Sequence, residues 1–69
     1  MTNQMTKLEL ARRRKGMTLR QVASVAGCSH ALVGFIERGQ RPTTKTTGRK
    51  LAKAVGLKAT EWETLQNPA

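Results

Sequence analysis

The stretch that most restricts this chain is Thr18 to Gly39, TLRQVASVAGCSHALVGFIERG. It holds two short helical patterns separated only by Gly27, Cys28 and Ser29. Thr18 followed three residues later by Gln21 is a capping box, which starts a helix near Leu19. Val22, Ala23 and Ala26 fall on one face of that helix. Gly27 ends it, because so tight a reversal needs a left-handed backbone that glycine adopts cheaply. Ser29 is a fresh N-cap, Val33 and Ile36 form the next inward stripe, and Gly39 closes the second helix.

Two helices joined by so short a turn describe a helix-turn-helix. Ala23 stands where the two should approach most closely, and a larger side chain there would push them apart. Val22, Cys28, Val33 and Ile36 are apolar where the pair must bury surface. Cys28 is read as a small buried hydrophobe.

The rest of the chain supplies helices around this pair. Thr6-Lys7-Leu8-Glu9 is another capping box, predicting a first helix over about 6–15, with Leu8 and Ala11 inward and Gly16 as its stop. Arg13, Arg14 and Lys15 gather in its last turn, where cations either suit the helix dipole or contact phosphate. Gln40 to Thr44 read as a polar loop, in which Pro42 keeps Arg41 out of helical geometry. A fourth helix is expected over about 45–55, capped by Thr44 and ended by Gly56. Its inward stripe is Thr47, Gly48, Leu51, Ala52 and Val55. Glycine inside a helix costs about 1 kcal/mol relative to alanine, so Gly48 weakens that expectation. Thr60-Glu61-Trp62-Glu63 opens a short fifth helix with Trp62 and Leu65 inward, and Pro68 prevents its continuation. The expected fold is all-α, a compact bundle of five short helices without strands. Residues 6–66 form one domain, with a loose N-terminal end at 1–5 and a tail at 67–69.

Length and charge narrow the function. A chain of 69 residues is near the lower size limit for a self-standing core. Lys and Arg number 13 against 4 Asp and Glu, a formal charge of +9, which points to a polyanion, either nucleic acid or an anionic surface. Glu61 and Glu63 sit near the C-terminus, so that end should face away from the polyanion. One cysteine forms no internal disulfide, no metal-type Cys/His cluster exists, and no membrane span or signal layout is present. These features fit a reducing, intracellular setting. Aromatics are limited to Phe35 and Trp62, which argues against stacking platforms for single strands. Neither paired carboxylates nor an activated nucleophile accompany His30, so no catalysis, metal, cofactor or small-molecule ligand is expected.

The pattern Leu8, Ala11-Arg12, Lys15-Gly16-Met17-Thr18, Val22-Ala23, Gly27-Cys28-Ser29, Val33, Ile36-Glu37-Arg38-Gly39 and Leu51-Ala52-Lys53-Ala54-Val55-Gly56 resembles the lambda repressor and Cro family, also called the XRE family. The resemblance implies a transcriptional regulator that lays a recognition helix, about His30 to Arg38, in the major groove of double-stranded DNA. It also implies a homodimer on two half-sites, a prokaryotic cytoplasm with the protein at the nucleoid, and an origin in a phage, plasmid or other mobile element. The base-reading positions would be His30, Ala31, Gly34 and Phe35. Ala31 and Phe35 lack hydrogen-bonding side chains and suit thymine methyl groups, Gly34 would let the helix approach the groove floor, and His30 could bond a purine or a phosphate. Phosphates would be held by Thr18, Arg20, Ser29, Arg38, Gln40, Arg41 and Lys45. The family commonly opens its second helix with a phosphate-binding Gln; Leu19 stands here instead, and Arg20 would substitute. The family pattern also pairs Arg12 with Glu37. Lys45 and Gly48 depart from it, standing where apolar residues are usual. A different class of function, a protein-interaction module such as an antirepressor or accessory factor, would use Phe35 as an exposed anchor.

Overall fold

A computed structural model describes residues 5–69. The loose end expected at 1–5 lies outside the described residues except for Met5. Four α-helices follow in order: α1 (Lys7–Arg14), α2 (Leu19–Ala26), α3 (His30–Glu37) and α4 (Lys45–Ala54). A 3₁₀ helix, Ala59–Thr64, comes last. Among the described residues no strand forms; one isolated antiparallel bridge joins Thr6 to Pro68.

The caps explain where the helices begin. Thr18 and Gln21 close both halves of the capping box, with the Gln21 amide 3.1 Å from the Thr18 hydroxyl and the Thr18 amide 2.8 Å from Gln21 Oε1. Ser29 and Thr44 cap α3 and α4 with their hydroxyls alone, which accept from the amides of Leu32 and Thr47. In α1 only half of the expected box forms. Thr6 accepts from the Glu9 amide, but the Glu9 carboxylate turns outward to Arg13, at 3.0 Å from Nε. A cation one turn away outcompetes a backbone amide for that carboxylate.

The core gathers Leu8, Val22, Val33, Ile36, Leu51, Ala52 and Leu65, all fully buried or nearly so. The 3₁₀ helix packs mainly on α4, while α2 packs on both α3 and α4. Gly27, at φ 74°, turns the chain so that α2 and α3 bend through 109°.

The C-terminal region departs from expectation in three ways. The last helix is 3₁₀ and starts at Ala59, with the Lys58 amide donating to the Glu61 carboxylate at 3.0 Å, instead of opening with a box at Thr60 and Glu63. The Glu61 carboxylate is also drawn to Lys7, 2.7 Å away, which favours the earlier start. Trp62 is half-buried rather than fully inward and covers Gly48, while Leu65 is fully buried. Residues 67–69 are bonded into the fold instead of trailing. The Lys7 amide donates to Asn67 at 2.8 Å and the Ala69 amide donates to Met5 at 2.9 Å.

Candidate nucleic-acid interface

Helix α3 is divided by its own periodicity. Val33, Ile36 and Glu37 are buried, whereas His30, Ala31, Phe35 and Arg38 are exposed. This leaves one side of the helix facing solvent from its cap to its last turn.

Gly34 corrects the sequence reading. It is buried, on the flank facing α2, and not on the outward side. A Cβ placed there would lie 3.2 Å from Arg38 Nη1 and 3.6 Å from Leu19 Cδ1. The glycine makes room for Leu19, half-buried against the core, and for the Arg38 guanidinium. That packing also accounts for an apolar residue opening α2.

At the far end of α3 the structure brings Phe35, Arg38, Gln40 and Arg41 together. The Arg38 guanidinium lies 5.5 Å and that of Arg41 6.0 Å from the Phe35 ring centroid. Such cation–π contacts are worth about 0.5–1 kcal/mol each at exposed sites. Arg38 Nε also donates to Gln40 Oε1 at 3.3 Å. Ser29 and His30 stand at the near end, and Thr18 and Arg20 at the start of α2, all exposed. Lys45 stands apart from this group, lining a cleft with Arg49, Thr60, Trp62 and Glu63.

The scaffold behind this surface is ionic as well as apolar. Arg12 makes a two-pronged contact with Glu37, Nε to Oε2 and Nη2 to Oε1 at 3.1 Å. Its third donor group, Nη1, reaches the Met17 carbonyl at 2.9 Å. The pair is nearly enclosed, with side chains 13% and 6% exposed, and ties α1 and the loop after it to the end of α3. Planar pairing of this kind suits a guanidinium and not an ammonium.

Two positioning residues escape a sequence reading. The Thr6 hydroxyl donates to the Glu37 carbonyl at 2.9 Å. Gln66 Nε2 donates to the carbonyls of Ile36, at 3.1 Å, and of Arg41, so the C-terminal region holds the loop that carries Arg41. Their partners lie 31, 30 and 25 residues away along the chain, so no local pattern signals these bonds.

Electrostatics leave the surface cationic. Among the described residues the ion pairs are Lys7–Glu61, Arg12–Glu37 and Arg13–Glu9. None of them engages Arg20, Arg38, Arg41 or Lys45. Cys28, in the turn, is half-buried rather than fully enclosed. Burial pushes its thiol pKa up, against an opposing pull from Lys50. Among the described residues no group of three His, Cys, Asp or Glu could hold a metal ion. No single helix there is long and apolar enough to cross a membrane.

Comparison with known proteins agrees with this geometry. Residues 6–65 match the family model described as a helix-turn-helix domain. Among curated proteins no sequence matches the chain. Among solved structures, the restriction-modification controller protein C.AhdI from Aeromonas hydrophila is similar. It is 32% identical with a TM-score of 0.75, over 81% of this chain and 85% of that one. The chain therefore belongs to the XRE family of helix-turn-helix domains, and so to the DNA-binding transcription regulators.

Proposed function

We propose that the chain is a sequence-specific regulator of the Cro or repressor type, carried by a phage, plasmid or other mobile element. Two copies would bind as a homodimer on half-sites about one helical turn apart in double-stranded DNA. The observation that carries this reading is the solvent-facing side of α3, with Ala31 and Phe35 exposed beside Arg38 and Arg41.

In this reading Ala31 and Phe35 pack against thymine methyl groups and His30 bonds a base edge or phosphate. Gly34, buried under Leu19 and Arg38, acts through the spacing of α2 and α3 and not by touching a base. Thr18, Arg20, Ser29, Arg38, Gln40 and Arg41 hold phosphates, and Lys45 holds one further out. The work is binding, without catalysis, and its setting is the prokaryotic cytoplasm at the nucleoid. The similarity to a restriction-modification controller supports a regulatory role.

A use of Phe35 as a protein-docking anchor is disfavoured by the two guanidinium groups over its ring. Selection of bound oligonucleotides from a random duplex pool tests the proposal. A two-fold symmetric site with thymine in each half is the expected result. Replacing those thymines with uracil should weaken binding by about 1 kcal/mol per methyl. Recovery of no preferred sequence, or indifference to uracil, would refute it.

A further inference from the structure

Helix α4 contains Lys45, Arg49, Lys50 and Lys53 and no acidic residue. All four cations are exposed, while Gly48, Leu51, Ala52 and Ala54 are buried. Lys45, Thr46, Arg49, Lys50 and Lys53 line one shallow concavity with Ala59, at the start of the 3₁₀ helix. Lys45 and Arg49 also border the cleft that holds Glu63. That carboxylate makes no ion pair among the described residues.

This arrangement opposes folding. Lys45 and Arg49, and Arg49 and Lys53, are four residues apart, and Lys50 and Lys53 are three apart, so like charges face each other across successive turns. A polyanion lying along the helix would convert that repulsion into binding. The spacing suits a phosphodiester strand. Lys45 to Lys53 covers about 12 Å at 1.5 Å per residue, long enough to meet more than one phosphate of a strand.

The face also adjoins the helix-turn-helix. Helix α4 itself packs on α2, the first helix of that motif. We propose that the outward face of α4, centred on Arg49, Lys50 and Lys53, is a second phosphate-binding surface that grips duplex DNA flanking the half-site read by α3. The inference rests on the duplex-binding reading above and extends its footprint. An acidic protein partner would use the same charges and is separated by the test.

The test compares wild type with R49Q/K50Q/K53Q on two duplexes: the selected site with long flanks, and the same site trimmed to the half-site. Affinity is measured across potassium chloride concentrations. On the long duplex the log–log salt slope of the variant should be shallower by about 2.7, at 0.9 per phosphate contact. On the trimmed duplex the two proteins should show equal slopes, and the uracil penalty should be unchanged. Melting at low salt should occur at a higher temperature in the variant, because the repulsion is gone while glutamine keeps helix propensity. The charge-preserving K50R/K53R should keep the wild-type slope, and K50Q alone should lose about 0.9. Equal slopes on the long duplex would overturn the proposal and leave the face to an acidic protein. Failure of the α3 reading is distinct, since it would appear as Phe35→Ala binding the selected site as tightly as wild type.

Discussion

Gly48 is where helix propensity and packing make opposite predictions. Replacing a mid-helix glycine with alanine should stabilise α4 by about 1 kcal/mol from backbone entropy alone. The structure reverses the sign. An added Cβ would sit 2.6 Å from Thr43 Cγ2 and 3.0 Å from Trp62 Cβ, well inside the roughly 3.5–4.0 Å of an ordinary carbon contact. Neither neighbour can rotate away cheaply. Trp62 Cβ moves only with its backbone, and Thr43 is stiff at χ1. Overpacking of this kind costs about 1–3 kcal/mol. Gly48→Ala is therefore expected to lose about 1 kcal/mol net, a fall in Tm of about 4–8 °C for a domain this small. Thr43→Ser removes the closest methyl, so the alanine should cost less in that background than in wild type. Thermal melts of the two single variants and the double variant, followed by far-UV circular dichroism, measure the coupling. A higher Tm for Gly48→Ala in the wild-type background would show that propensity wins and that the contact is not binding.

Three further outcomes are expected. Arg12→Ala or Glu37→Ala should each cost about 3–5 kcal/mol in urea melts by stranding a buried charge, whereas R12M/E37L should lose less than either. The Glu61 pKa is lowered by the hydrogen bond from Lys7, then by the Lys58 amide. A depressed folded pKa contributes stability above the ordinary carboxylate value of about 4.3 and loses it as pH falls through the folded value. Glu61→Gln should accordingly flatten the acid side of a Tm–pH profile. At Cys28 burial outweighs the pull of Lys50, so alkylation by iodoacetamide at neutral pH should be slower than for free cysteine, and slower still in Lys50→Gln.

Much of this molecule was legible because its signals are local. Thr18, Ser29 and Thr44 cap the helices expected of them, since a capping bond spans only three residues. Gly27 and Gly39 adopt the left-handed conformation that their turns require. The buried side of α3 follows from a 3.6-residue period. What stayed hidden depends on distant parts of the chain. Gly34 falls at the margin of the outward arc by periodicity, and only the approach of Leu19 from α2 buries it. Gly48 reads as a defect until Trp62 is seen to lie over it. Glu9 and Glu61 each had two cationic or amide partners within reach, and sequence alone does not rank them. Residues 67–69 look like a tail because their partners, Met5 and Lys7, lie at the other end of the chain.

Phe35 joins two explanations of DNA binding that a pair of substitutions can separate. As an apolar surface it would contact a thymine methyl, worth about 0.8 kcal/mol. As a ring flanked by Arg38 and Arg41 it would hold two guanidinium groups in place for phosphate or guanine, worth about 0.5–1 kcal/mol for each cation. Leucine keeps the first property and loses the second; alanine loses both. Phe35→Leu should therefore bind the selected site more weakly than wild type by about 1–2 kcal/mol and still discriminate thymine from uracil. Phe35→Ala should bind more weakly again and lose that discrimination. Wild-type affinity in Phe35→Leu would mean that the arginines need no ring to place them. Equal losses in the two variants would mean that the methyl contact contributes nothing, because the only property leucine retains over alanine is the apolar surface that contact requires.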